Sequence, residues 1–327
     1  MDRTYKMEIT SKTIFFTVFL LLGLQLLWLV KELLFSLLIA FIIMSAFNPW
    51  VTALNKWKIP RSLSAVVIFL ILIFAIGYLF SWIIPPIAKE TTLLFQNLPF
   101  LIRNINPELS KYVATDYLTK NIPNLTGNAF NVVRSVFSNL IFFVSTLFFS
   151  LYLLIEESAL KKLISKFVVK EDADRLTTLV DRAENRMRAW FWGEAVLMVV
   201  IGTLTFIGLS LIGVKYALPL AIIAGLLEIV PILGPVLSAI PALIVASAQT
   251  YFLGGATVAL YFIIQQTENQ LVVPLVMKKA VGLNPIMTLA ALIIGGKLLG
   301  VLGVLLAIPI TLLVEVVLTE FYAPRRR

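Results

Sequence analysis

The stretch 218–247, LPLAIIAGLLEIVPILGPVLSAIPALIVAS, limits what this chain can fold into more than any other part of it. It holds thirty residues and a single charge, Glu228. An unbroken helix of that length would measure about 45 Å, against a bilayer hydrocarbon core of about 30 Å. Pro231, Gly234 and Pro235 fall near its midpoint, and Pro241 follows. Proline removes an amide donor, and glycine loosens the backbone. In lipid, broken backbone is tolerated only where it is buried in protein or lines a wet cavity. The stretch therefore reads as two half-helices meeting at a Pro-Gly-Pro elbow. Half-helix ends offer partial charges and unpaired backbone groups to a ligand.

Composition supports a lipid setting. The chain is 60% hydrophobic and 14% charged, with a mean hydropathy of +0.96. Soluble domains carry about 25% charged residues, so the expected class is an all-α polytopic membrane protein. The net charge of +9 does not point to nucleic acid, because Lys and Arg cluster beside apolar runs, as the positive-inside rule predicts. With no cysteine and no histidine, disulfides, thiolate chemistry, zinc or haem ligation by these side chains and a Ser-His-Asp triad are excluded. No cofactor is called for. The opening residues lead into an apolar run without a small-residue cleavage site, so the first run reads as a retained helix.

Along the chain, about eight hydrophobic segments are expected. Runs 14–30 and 33–47 are separated only by Lys31-Glu32 and read as a tight helical hairpin; a third run covers 63–84. Together they make an N-terminal transmembrane region, 1–86, in which Trp50 and Trp57 suit an interfacial belt. Segment 87–131 mixes charges, prolines and leucines spaced three and four apart, as in extracytoplasmic amphipathic helices. A fourth membrane helix covers 132–155. Segment 156–193 reads as a cytoplasmic helical linker: 156–192 alone holds eight Lys/Arg and seven Asp/Glu, with i,i+4 pairs such as Asp181–Asn185 and Glu184–Arg188 within reach. Residues 194–322 form the remaining core, and 323–327 a basic tail.

That core carries an internal similarity. A second long apolar segment, 285–318, is interrupted by Gly295, Gly296, Gly300 and Gly303. Leu218-Pro219 opens the first segment and Asn284-Pro285 the second; Ala-Ile-Pro241 and Ala-Ile-Pro309 close the parallel. The period is 66–68 residues. If each segment crosses once with a kink, Lys278-Lys279 lies on the side opposite the basic linker and tail. If each is a re-entrant hairpin, every basic segment falls inside, and the two units become inverted repeats of the kind used by alternating-access transporters. The hairpin layout is the expectation; the kinked single span is its rival.

The ionisable residues in apolar runs are Glu194, Glu228, Glu268, Lys297 and Glu315. Each costs about 2.5–3.5 kcal/mol at a bilayer centre on insertion scales, so each needs a reason. Glu194 and Glu315 read as solvated helix ends. Glu228 lies beside the elbow, where a packing or capping role and a substrate or proton role are equally open. Gln265-Gln266-Thr267-Glu268-Asn269-Gln270 is six consecutive polar residues in an apolar run. Interhelical hydrogen-bond glue needs fewer, so a wet cavity wall is the preferred reading. Lys297, in the second interruption, is the natural countercharge for Glu228 or Glu268. An intramembrane hydrolase lacks support: no Asp lies in an apolar run, and no G-x-S-x-G occurs.

These residues carry a resemblance. Glu228-Ile-Val-Pro-Ile-Leu-Gly-Pro235 with Ile-Pro241, Gln266-Thr-Glu-Asn269 with Pro274, and Gly295-Gly296…Gly300…Gly303…Ile-Pro309 resemble the signature of the autoinducer-2 exporter family of bacterial and archaeal permeases. Phe47-Asn-Pro49 and Ile59-Pro-Arg61 resemble its N-terminal pattern. The resemblance implies a homo-oligomeric permease of the cytoplasmic membrane; members are associated with export of the quorum signal autoinducer-2, and some resemble sodium(lithium)/proton antiporters, which is the alternative reading. It carries over to Glu228, Pro231, Gly234, Pro235, Glu268, Asn269 and Pro309. With no G-x-x-x-x-G-K-[ST] loop to use ATP, the combined expectation is a gradient-driven secondary transporter and not an enzyme. Its expected ligand is a small polar solute, a monovalent cation or a proton, held by Glu228, Gln265, Gln266, Glu268, Asn269 and Lys297. A channel and a membrane scaffold are the lesser alternatives. Any proton coupling must use the acids.

Overall fold

The computed structural model describes residues 11–78, 140–156, 170–277 and 284–322, with isolated positions at 81, 85, 89, 93, 161, 162, 164 and 166. The expected amphipathic segment 87–131, Lys278-Lys279 and the basic tail fall almost wholly outside them. Every regular element among the described residues is helical. Among the described residues, four stretches are long and apolar enough to cross a bilayer: Lys31–Asn55, Arg61–Tyr78, Ala173–Leu211 and Ile286–Glu320. The chain is an all-α polytopic membrane protein.

The first two helices, α1 (Ser11–Leu29) and α2 (Lys31–Asn55), are not the tight hairpin expected. Val30 N–H donates to Leu26 O (3.0 Å) and Leu34 N–H to Val30 O (3.1 Å), so helical bonding runs through the junction with one distorted residue. The reason is local. Lys31-Glu32 supplies charge but neither glycine nor proline, and charge alone does not stop a helix. Lys31 instead sets its ammonium 3.9 Å from the centre of the Trp28 ring.

Proline does act in α2. Pro49 has no N–H, which deprives Ser45 O of its i+4 donor. Arg188 Nε donates to that oxygen (3.2 Å), and Trp192 Nε1 donates to the neighbouring Ala46 O (3.1 Å). The helix α3 (Arg61–Tyr78) begins with an arginine that ties three elements together. Arg61 Nε donates to the carbonyls of Leu154 (3.1 Å) and Ile155 (3.2 Å) at the end of α4 (Leu140–Ile155), and its Nη2 donates to Asn48 Oδ1 (2.8 Å). A guanidinium on terminal carbonyls also opposes the negative end of the helix dipole. Met44, Phe47, Val51, Ile68, Phe69 and Leu154 form the apolar core around this joint.

The expected boundary at 193/194 has no structural counterpart. Linker and span form one helix, α5 (Lys170–Leu211), of 42 residues. Its charged half pairs outward: Asp181 takes Lys161 (2.6 Å), not Asn185, and Arg188 turns to Ser45 O. Its apolar half carries the rest of the molecule.

Both broken segments fold back on themselves, so the kinked-span alternative fails. In the first, α6 (Ala217–Leu227) and α7 (Leu233–Gln249) lie antiparallel: Leu220 packs with Ala242, Val245 and Ala246 in a cluster that includes Leu209 of α5. At the tip a Cβ on Gly234 would collide with Leu227 O. Thr250 Oγ1 then accepts from Leu253 N–H (3.1 Å) and caps α8 (Tyr251–Thr267). A π-helical turn, Glu268–Val272, and a final α-turn, Val273–Met277, continue it. This helix runs antiparallel to α5, with Leu260 against Gly208 and Met277 against Gly193.

The second segment, α9 (Pro285–Tyr322), turns at Gly300, whose φ of 62° and ψ of −139° suit only glycine. Residues eight apart in one helix are about 12 Å apart, yet a Cβ on Gly295 would collide with Gly303 O, and one on Gly303 with Gly295 O. The arms 285–299 and 301–322 are therefore in backbone contact. The two hairpins enter from opposite ends of α5. The base of the first meets Leu209 near the end of α5. The outer arm of the second pairs with its charged half, Glu320 taking Arg182 (2.6 Å) and Arg175 (3.7 Å), and Glu315 facing Arg186 (3.8 Å). Small residues let the backbones approach, as is usual where lipid removes the hydrophobic drive between helices. Gly202 and Gly225 touch, with a Cβ on Gly225 falling 2.7 Å from Met198 O.

Candidate functional site

Where the first tip meets α5 and α8, the helices leave a cavity of about 460 Å³. Each wall has a sequence reason. The tip, 228–232, is non-helical because Pro231 denies an amide to the ladder. Leu233 N–H donates two residues back to Pro231 O (2.8 Å), closing a γ-turn around Ile232, whose φ of 71° is strained for a β-branched residue. Glu228, Pro231 and Ile232 face the cavity. On α8 the π-turn begins at Glu268 and widens the helix there; such turns recur at functional sites. Gln265 Nε2 donates to Glu268 Oε2 (3.1 Å), fixing that carboxylate, and Asn269 follows on the same wall. Thr288 and Ile308, one from each arm of the second hairpin, complete the enclosure with Trp190 and Glu194 of α5.

Three carboxyl groups thus share one chamber. Glu194 is 4% exposed, Glu228 1% and Glu268 4%. All three line the same cavity. Among the described residues, no Lys or Arg lines the cavity. Glu194 Oε1, Glu228 Oε2 and the indole Nε1 of Trp190 are buried without a partner among the described residues. Buried carboxylates without a countercharge are expensive, at several kcal/mol each after relaxation. The chamber is therefore built to take positive charge, as protons or as a cation. Among the described residues no group of three or more His, Cys, Asp or Glu is placed to hold a metal ion.

Of the residues the sequence singled out, the structure brings together Glu228, Gln265, Glu268 and Asn269. Gln266 and Lys297 are exposed and stand off the cavity wall. Lys297 is not the countercharge: it lies on the first arm of α9, exposed and in no ion pair with the acids. Among the elbow residues, Pro231 lines the cavity, Gly234 closes the tip, and Pro235 borders a smaller apolar groove of about 340 Å³ that shares Val236 and Gln265 with the chamber. Pro241 and Pro309 sit inside α7 and the second arm of α9. Gly295, Gly300 and Gly303 form the second tip, and Gly296 packs on Val304. Glu194 and Trp190 were missed. Reading 193/194 as a helix start made Glu194 a solvated end. In the uninterrupted α5 it is mid-helix, and a lone acid there was the available signal.

Comparison with known proteins agrees with this architecture. The model of the AI-2E family transporters matches residues 14–323. The chain is 28% identical to YueF of Bacillus subtilis (strain 168) over 88% of this chain and 83% of that one. It is 22% identical to YrrI of the same organism over 94% of each. Both are provisionally named transport proteins. It is also 22% identical to the AI-2 transport protein TqsA of Escherichia coli (strain K12), over 88% of this chain and 86% of that one. A match across nearly the whole length, on a membrane fold whose two hairpins converge on an acidic chamber, makes this chain a member of the AI-2E transporter family.

Proposed function

We propose that the protein is a gradient-driven secondary transporter of the cytoplasmic membrane, with both termini cytoplasmic. It carries a small polar solute through the chamber between its hairpins, with protons or a monovalent cation neutralising the acids. The observation that carries the reading is the convergence of Glu194, Glu228 and Glu268, from α5, the first tip and the π-turn, on one cavity that no basic side chain lines among the described residues. Hairpins based at opposite ends suit alternating access, because each can shut one side of a site at mid-depth. The chamber is of a size that takes a small organic ligand, far more than a desolvated ion needs. An autoinducer-2-like solute is the cargo suggested by the likeness to TqsA. Sodium(lithium)/proton antiport is the second reading, favoured by the bare acids. A homo-oligomer in the bilayer is the proposed assembly; nucleic acid has no part in it.

The test is flux in proteoliposomes under imposed proton or sodium gradients, against small polar solutes and monovalent ions. Glu268→Gln is expected to abolish gradient-coupled flux while the purified protein keeps its elution volume. Normal flux in that variant would remove Glu268 from the mechanism, and non-saturating flux unable to drive uphill counter-flow would make the protein a channel.

A further inference from the structure

Resting on that reading, we infer that the second hairpin opens its side of the chamber with one arm alone: 285–299 swings about Gly300 while 301–322 stays fixed to α5. The two arms are held very differently. Leu306, Ile308 and Leu312 of the outer arm are buried in a cluster with Ile42 of α2 and Met187 and Trp190 of α5. Farther along, Glu320 pairs with Arg182 and Arg175 of α5. Of the described residues in the inner arm, only Leu292 is buried. Ile286, Met287, Ile293, Ile294 and Leu298 are each more than half exposed. Apolar side chains that face lipid stay in lipid when an arm moves, so no hydrophobic cost opposes the swing. Elements with few buried apolar contacts are the ones that open at low free energy.

The turn and the contact beside it permit rotation. A Cβ on Gly300 would meet nothing within 4 Å, so this turn residue absorbs a change in φ and ψ without collision. The arms touch through Gly295 on Gly303 and Gly296 beside Val304. Glycine faces present no ridges to interlock, so the contact is a pivot. Thr288 lies about 18 Å along the helix from Gly300, and a rotation of about 15° moves it about 5 Å. It is the inner arm's contribution to the chamber wall, so that displacement breaches the enclosure. The first hairpin has no such free arm. Gly225 of α6 lies against Gly202 of α5, and the hydroxyl of Tyr261 on α8 donates to Ser238 O of α7 (3.3 Å).

With no native cysteine in the chain, a reversible lock tests the inference. A Cβ on Gly296 falls 3.1 Å from Val304 Cγ2, which puts Gly296→Cys and Val304→Cys within disulfide reach. Oxidation of that pair in proteoliposomes is expected to stop gradient-coupled flux, and reduction to restore it. Ser247→Cys with Gly254→Cys ties α7 to α8 in the same way, a Cβ on Gly254 falling 3.2 Å from Ser247 Cβ. Its oxidation is expected to leave flux unchanged. Full flux in the oxidised first pair, or arrest by the second, overturns the inference. Spin labels give a reading that needs no flux. With Ile286→Cys and Thr319→Cys labelled in the reconstituted full chain, the distance across the second hairpin should be broad or two-peaked. Lys215→Cys with Tyr251→Cys, across the base of the first hairpin, should give one narrow peak. A first distribution no broader than the second overturns the inference, even where a locked variant fails to accumulate. Arm motion without coupled flux removes the transport reading alone, and flux indifferent to the first lock removes this one alone.

Discussion

Glu268 and Glu228 are held differently, and substitutions should reveal it. Glu268 accepts from Gln265, so Gln265→Leu should leave the carboxylate in place but less well positioned. The expected result is an affinity loss of about tenfold or more, the worth of one charge-assisted hydrogen bond, with the fold intact. Binding titration of the purified variant checks it. Ile232 sits at positive φ with its side chain 43% exposed. Ile232→Gly relieves about 1–3 kcal/mol of backbone strain and adds about 0.5–1 kcal/mol of chain entropy cost. Its thermal midpoint in detergent should therefore not fall; a drop of several degrees would contradict the strain. At this scale Glu228, Gln265 and Glu268 were legible in the sequence because an acid or amide in an apolar run needs a reason. Lys297 was misjudged because proximity to a break says nothing about which way a side chain points.

Among the elements, the second hairpin gives the sharpest test. Gly303 and Gly295 meet backbone to backbone, and Gly303→Val forces the arms apart. A loss of about 3 kcal/mol or more is expected, read as a lower melting temperature, and it should exceed the loss from Gly300→Ala, which adds strain at a turn with open space around it. Arg61→Met takes the guanidinium away from the Leu154 and Ile155 carbonyls and from Asn48 Oδ1, an expected cost of about 2–3 kcal/mol by the same melt, and Arg61→Lys should not recover it because an ammonium lacks the guanidinium fork. Sequence reading found both hairpins through proline and glycine, which have backbone consequences that do not depend on neighbours. It failed at Lys31-Glu32 and at 193/194, where polarity changes while the helix continues. Hydrophobic contrast marks where lipid ends; it does not mark where hydrogen bonding stops.

For the molecule as a whole, the opposed hairpins make a statement about sidedness. The chain has no native cysteine, so single-cysteine variants report cleanly. Thr250→Cys, at the base of the first hairpin, should react with an impermeant thiol reagent added outside intact cells. Thr319→Cys, beside Glu320 on the second, should react only after permeabilisation. Labelling of both from one side would contradict the proposed layout. The ion pairs of Arg182 and Arg175 with Glu320 lie partly in solvent, so raising salt should change the melting temperature little. The π-turn and the merging of linker and span could not be read from residue types, since both depend on how α8 and α5 pack.

In the proposed orientation, a chamber walled by the first tip on one side and by the arms of the second hairpin on the other has an electrical consequence. A resting potential across such a protein drops over two thin insulating plugs in series, with the chamber as the node between them. A full elementary charge carried through 100 mV is worth about 2.3 kcal/mol, so reaching Glu228 from outside gains about 1 kcal/mol of that. Occupancy by a positive ligand should therefore rise severalfold when the cell interior is made more negative, even before any hairpin moves.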